Sequence, residues 1–363
     1  MAGAGGTTRR LRALAIARDR TLVTADPATV SWLTGLAPEL EWGPSPFSAP
    51  AIAVLTPNGE VRAVVSADEA GGLTADVEPV TFPGFALEDV DRREASVRAA
   101  LSLLPGEGPL AVELASLPGT LVHALDPRRL EDVGGDLQRA RAVKDDDELA
   151  AIRTVIRVAD AGQAAARAAL AAGRSELELW TETRAAIEAA AGGRTPVLAD
   201  FVSGPRTGEV GGPPGDRRLA DRDLLLVDLV PRVGAYWGDS CATLALGEPP
   251  EPVREAHAAA LEALETAKAA IRPGALAGDV DIAARAVVAG AGGSYPHHTG
   301  HGLGLTFHEE PRIVPGSDRV LEAGMVVALE PGTYGADWGV RVEQVVVVTA
   351  DGYELLSGHD LSL

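Results

Sequence analysis

Cysteine is almost absent: the chain of 363 residues has one, Cys241. A single thiol excludes an internal disulfide framework. With no signal peptide recognisable at the start, it makes the cytoplasm the expected compartment. Aromatic residues are scarce at 4%, so the core must be built mainly from Ala, Val and Leu. Basic charge is also short, with 32 Lys and Arg against 52 Asp and Glu and a formal net charge of −20. A field of that sign repels phosphate backbones and anionic lipid, so neither nucleic acid nor a membrane is an expected partner. No apolar run reaches the ~20 residues of a membrane helix. The most apolar stretch near the start, Leu11 to Ala17, is interrupted by arginine. Residues 1–8, rich in Gly, Ala and Thr, read as a disordered terminus.

What is present is globular composition, 46% hydrophobic and 23% charged, in a length that suits two domains. The first 140 residues alternate short strands with helices. Thr21 to Thr24 and Ala51 to Leu55 read as strands, and Thr56-Pro57-Asn58-Gly59 is a hairpin turn that lets residues 60–65 pair back. Leu87 to Leu104 reads as helix and Leu110 to Leu114 as strand. The only histidine of this half, His123, has no chemical context. A charged run, Arg139 to Glu148, marks a boundary, which we place between 143 and 144. Beyond it, Asp147 to Ala172 is periodic and helical, and Ser175-Glu176-Leu177-Glu178 is a capping box opening a helix to about Ala191. Ser203 to Gly215 is a Gly/Pro-rich loop. Strands at 224–229 and 235–246, helices at 252–271 and 280–291, and strands at 325–330 and 340–348 follow. The second half is thus strand-rich twice, each time after a helical pair, which suggests two related α/β halves around one sheet.

Four acidic residues lie inside segments that otherwise read as buried strands: Asp228, Asp239, Glu330 and Glu343. Burying one unpaired carboxylate costs several kcal/mol. Taken singly, each reads more simply as an edge-strand charge facing water. Four together call for a shared cation. The segment Pro296 to Pro311 adds His297, His298, His301 and His308, four of the chain's seven histidines, among glycines that permit close backbone approach. One imidazole with four carboxylates is a mostly hard, oxygen-rich set. It suits two divalent ions, with Mn²⁺, Co²⁺, Fe²⁺ and Zn²⁺ all compatible. Two such ions activate a bridging water and polarise a carbonyl.

These residues resemble the pita-bread metallohydrolases: methionine aminopeptidase, Xaa-Pro aminopeptidase, Xaa-Pro dipeptidase (prolidase) and creatinase. Leu22 to Gly35 looks like the start of the smaller domain of the prolidase and creatinase branch, and Arg139 to Glu148 like its interdomain joint. Asp228 and Asp239 have the family spacing, Gly300-His301-Gly302-Leu303-Gly304-Leu305 its histidine motif, and Leu329-Glu330-Pro331-Gly332 and Gly339-Val340-Arg341-Val342-Glu343 its glutamate motifs. The resemblance implies an α/β (α+β) chain with a smaller N-terminal creatinase-type domain, 1–143, and a C-terminal pita-bread domain, 144–363. It implies two divalent ions, Mn²⁺ foremost, with Asp228, Asp239 and Glu343 on one, Asp239, His301, Glu330 and Glu343 on the other, and Asp239 and Glu343 bridging. His308 falls at a substrate-binding histidine, and Glu330 also at a proton shuttle. Arg341 falls where relatives hold a substrate carboxylate, although a salt bridge to a ligand carboxylate explains it equally well. His297 and His298 are candidates for substrate contact. The expected activity is hydrolysis of an amide C–N bond, Xaa-Pro peptidase-like, by a homodimer acting on a small peptide or other small molecule.

One departure stands out. The peptidases carry a further histidine after a Ser-Gly-Pro motif, and Ser203 to Pro213 aligns with that loop without a gap, leaving Gly211 at its position. No histidine lies between His123 and His257. Loss of a general acid commonly costs ~10²–10⁴ in rate. Three readings follow: a peptidase in which another group substitutes, with Glu209 and Arg206 as candidates; a repurposed enzyme acting on a non-peptide small molecule; or a non-catalytic homologue.

Overall fold

The strand and turn signals of the first 140 residues build a mixed sheet. A computed structural model of the chain describes residues 4–38, 49–84, 92–125 and 130–363. It divides into two compact units, Met1–Arg141 and Ala142–Leu363, where the sequence reading set the joint at 143/144. The first unit runs α1 (Ala4–Ala17), β1 (Thr21–Thr24), α2 (Pro27–Thr34), β2 (Ile52–Leu55), β3 (Val61–Ser66), β4 (Glu78–Phe82), α3 (Arg93–Leu103), β5 (Leu110–Val112), α4 (Gly119–Leu125), β6 (Leu130–Asp132) and α5 (Gly134–Ala142). Among the described residues its six strands lie in the order β4-β3-β2-β1-β5-β6. Asp26 opens α2 by accepting from Thr29 N at 2.8 Å, and Pro27 takes the first helical position. Part of the helix read at 87–104 lies outside the described residues; the rest is α3. His123 sits exposed on α4.

The terminus departs from expectation. Residues 4–8 begin α1 rather than disorder, and residues 1–3 lie outside the described residues. Ala13 and Ala17 are fully buried, and Arg10 pairs with Asp76 at 2.6 Å. Tertiary burial thus outweighs the poor helix propensity of Gly5-Gly6-Thr7-Thr8.

The second unit begins with α6 (Asp146–Ala169) and α7 (Glu176–Ala191), followed by β7 (Val197–Ser203), β8 (Leu224–Val233), β9 (Tyr236–Trp237) and β10 (Cys241–Ala245). Then come α8 (Glu251–Ala270), α9 (Ala277–Gly290), β11 (Gly300–Gly302), β12 (Glu309–Ile313), β13 (Val326–Leu329), β14 (Gly332–Tyr334), β15 (Gly339–Arg341), β16 (Gln344–Val348) and β17 (Tyr353–Leu355). The capping box at Ser175 is present, Glu178 N donating to its hydroxyl at 3.2 Å. Among the described residues no helix is long and apolar enough to cross a membrane.

The expected single sheet is instead hydrogen-bonded as β10-β8-β7, with β9 attached to β8, and as β12-β11-β13-β16-β17, with β14 and β15 a separate pair. The reason lies at the seam between β10 and β15. There the Thr243 hydroxyl donates to Arg341 O at 3.0 Å and accepts from Arg341 N at 2.9 Å, replacing ladder bonds with a side chain. One backbone bond, Glu343 N to Cys241 O at 2.9 Å, crosses beside it.

Strand alternation sets the chemistry. On β8, Leu225, Val227 and Leu229 pack with Val158 of α6 and Leu179 and Ile187 of α7. Leu226 and Asp228 turn to the opposite face. On β13, Val327 and Leu329 pack with Ala260 and Leu264 of α8 and Val280 and Ala284 of α9. Fully burying one such Leu contributes ~1.5–3 kcal/mol. The helix-facing sides are therefore apolar cores, and polar residues are left for the other side.

Candidate metal centre

The carboxylates of the second unit collect on the faces turned away from the helices. Asp228 stands in register with Asp200 on β7 and with Cys241 on β10, so the three share one face. Asp239 follows β9, Glu330 follows β13, and Glu343 lies between β15 and β16. All four sequence-singled carboxylates are buried, as is His301 on β11. Ligand atoms of Asp239, His301 and Glu343 lie within 4.8 Å of one another. His301 Nε2 is 3.6 Å from Asp239 Oδ2 and 3.4 Å from Glu330 Oε1.

The histidine segment is placed from outside. Arg285 of α9 donates to Asp281, to Tyr295 O at 2.9 Å and to His297 O at 2.6 Å. Glycine is required at 300 and 302, where a β-carbon would run into Ala328 O and Glu310 O. His301 Nδ1 donates to Gly302 O at 3.0 Å. That commits the proton to Nδ1 and turns the Nε2 lone pair toward two carboxylates. A cation between them reconciles the arrangement.

Two further observations fit divalent ions. Asp228 Oδ1 and Glu343 Oε1 are buried without a hydrogen-bond partner, the condition native folds avoid unless an ion or water serves them. Burial pushes the Asp228 carboxyl up to about 7, with Arg341 opposing and Glu330 adding to the rise. Burial, then the neighbouring carboxylates, push Asp239 and Glu343 well above the usual range. Glu330 goes the other way: burial opposes its charge, but the hydrogen bond from His298, with His301 and Arg341 beside it, holds it well below the usual range. Several carboxylates in one dry pocket cannot all ionise without positive charge.

The remaining sequence candidates occupy distinct positions. His298 links Glu330 to a residue the sequence did not single out: its Nδ1 accepts from Arg312 Nη2 at 2.9 Å, so Nε2 carries the proton donated to Glu330 Oε1 at 2.7 Å. His297 donates from Nδ1 to His298 O at 2.8 Å and accepts from Tyr334 at 2.9 Å, which uses both ring nitrogens. Burial lowers it to about 4. His308 is exposed, with its ring centroid 4.1 Å from that of His301. Partial burial, then His301 and His298, lower it to about 3, so it is neutral at physiological pH.

Arg341 is buried and already engaged. It pairs with Asp228, donates to Val210 O at 3.0 Å and to Cys241 Sγ at 3.4 Å, and lies 3.3 Å from Asp200 Oδ2. Of its two sequence readings, the geometry displays the salt bridge to Asp228.

The loop that replaces the expected histidine contains a surprise. A β-carbon on Gly211 would overlap the Asp200 carboxylate. Neither loop candidate for substitution is at that position: Arg206 pairs with buried Glu176 and donates to Pro213 O at 3.0 Å, and Glu209 is exposed. Asp200 carried the same signal as the other four, an acid in the apolar strand β7, a strand the sequence reading did not assign.

Residues 150–350 match metallopeptidase family M24. The chain is similar to the probable dipeptidase PepE of Mycobacterium tuberculosis, 39% identical over 221 residues, which is 60% of this chain and 58% of that protein. The match therefore spans less than two thirds of that relative's length. Among solved structures it is similar to dipeptidase PepE from Mycobacterium ulcerans, with a TM-score of 0.80 and 29% identity over 99% of this chain and 97% of that one. It is also similar in fold to the Xaa-Pro dipeptidase from Bacillus anthracis, with a TM-score of 0.83 and 22% identity over 99% and 98% of the two chains.

Proposed function

We propose a metal-dependent peptidase activity for this chain, which belongs to metallopeptidase family M24 and has the pita-bread fold. The reaction is hydrolysis of an amide C–N bond in a small peptide, of the dipeptidase or Xaa-Pro kind printed in the names of its relatives. The observation that carries this reading is the convergence of Asp239, His301 and Glu343 within 4.8 Å, beside Asp228 and Glu330. The orphaned oxygens of Asp228 and Glu343 within that cluster point the same way.

Those five residues would hold two divalent ions, Mn²⁺ first among the candidates. When bound, such ions supply a Lewis acid and lower the pKa of water. The chain's own residues do the rest. His301 is oriented by its bond to Gly302 O. Glu330 accepts a proton at Oε1, and His298, backed by Arg312, holds that oxygen in place. His308, neutral and open to solvent, is placed to hydrogen-bond a substrate carbonyl or amide. A cytoplasmic homodimer belongs to the same proposal.

The Gly211 and Asp200 arrangement favours a second reading, hydrolysis of a non-peptide C–N bond on the same scaffold. A panel of Xaa-Pro dipeptides and tripeptides, assayed with Mn²⁺ against a Glu330→Ala control, separates the two. Metal-dependent turnover lost in the control supports the peptidase. Metal bound without turnover sinks it.

A further inference from the structure

Asp200 differs from the other carboxylates of the centre in one respect: water reaches it. Its side chain is 38% exposed, against 13% for Asp228 beside it on the same face. It enters the volume that Gly211 leaves open, since any β-carbon there would overlap it. The loop at this point is bent to suit: Val210 has a φ of 77°, a region L-residues avoid, and its carbonyl is held by Arg341 Nη1 at 3.0 Å. Arg341 is the one cation paired with Asp200 among the described residues, and it is shared with Asp228. Each of the three guanidinium nitrogens already faces an acceptor, so Arg341 offers little to a substrate carboxylate. Asp200 thus places a partly exposed negative charge beside Asp228, and the one cation it pairs with is shared with that buried carboxylate.

We propose that Asp200 sets specificity at this centre: its carboxylate, lodged over Gly211, receives a cationic group of the substrate, an ammonium or a guanidinium, on its solvent-exposed side. The proposal rests on the hydrolase reading only for the location of the substrate. An exposed carboxylate that already shares one guanidinium gains more from a second cation than from any neutral group.

The test is calorimetric binding to the full-length, Mn²⁺-loaded protein. The probes are N-acetyl-lysinamide, with its cation on the side chain; norleucinamide, with its cation on the α-nitrogen; and N-acetylnorleucinamide, with neither. One of the first two is expected to bind at least about tenfold more tightly than the third, the scale of one charge-assisted hydrogen bond. Which one it is identifies the source of the charge. Asp200→Asn, nearly isosteric, removes the advantage while metal stoichiometry is retained. Gly211→Ala removes it from the other side by displacing the carboxylate. Equal affinity for all three probes, including no measurable binding of any, overturns the proposal, as does an advantage that survives Asp200→Asn. Charge preference without hydrolysis of any peptide sinks the peptidase reading and leaves the role of Asp200 standing.

Discussion

Each unit of this protein buries acidic side chains, and the two do so in opposite ways. In the first unit, Glu113 accepts from the Thr24 hydroxyl at 2.7 Å and lies 3.6 Å from Arg141, itself buried and 3.5 Å from Asp26. Burial, then Asp26, raises the Glu113 carboxyl, but the group has its partners within the fold. In the second unit, Asp228, Asp239, Glu330 and Glu343 share one guanidinium, Arg341, with oxygens of Asp228 and Glu343 left unpartnered. A buried acid supplied with its own cation is part of the scaffold. Buried acids that outnumber their cations describe a place for something else.

The contrast is sharpest where the partner is missing. Glu330→Ala is expected to abolish metal-dependent turnover, at least about 10³-fold, with metal content measured alongside by elemental analysis. Glu113→Ala should leave turnover and metal content intact; equal losses from both variants would erase the distinction. His298→Ala breaks the link from Arg312 to Glu330 and should cost ~10²–10⁴ in kcat with metal retained, read from steady-state kinetics. In stability the asymmetry runs the other way. Glu113→Ala should cost about 2–3 kcal/mol in denaturant melts, because Arg141 loses a buried partner.

Added Mn²⁺ at 100 times its Kd should stabilise the protein by about 2.7 kcal/mol, and a shift in Tm that persists in Glu343→Gln would place the ion elsewhere.

The most gradual effect concerns pH. The fold keeps His297 neutral, lowering it from 6.5 to about 4. The unfolded chain therefore binds the proton first, so this contribution to stability is full above pH 6.5 and is lost as pH falls toward 4. The decline of Tm across that window should be shallower in His297→Gln than in the parent chain.

Much of this was legible early. The capping box at Ser175 is local chemistry, and it appears where the residues specify. The carboxylates at 228, 239, 330 and 343 were visible because a charge inside an apolar strand violates local pattern. Other features were illegible for stated reasons. Helix α1 begins in a Gly-Gly-Thr-Thr segment whose local preference is poor, and burial of Ala13 and Ala17 decides it. The division into separate sheets depends on Thr243, an ordinary strand residue until β15 lies against it. The relevance of Arg312 and Asp200 comes entirely from what they touch.

The sequence by itself determined which side chains are the candidates for chemistry: an oxygen-rich set of carboxylates, a histidine segment threaded with glycine, and a loop with Gly211 in place of an imidazole. Residue type and spacing encode these, because donor chemistry and strand alternation are local properties. Only the tertiary structure decided that Arg341 turns inward to Asp228, that His298 bridges Arg312 and Glu330, and that Asp200 fills the space over Gly211. Each of these is a contact between residues far apart in the chain. Its existence depends on the register of β7 on β8 and on the seam between β10 and β15, which no short stretch of sequence contains.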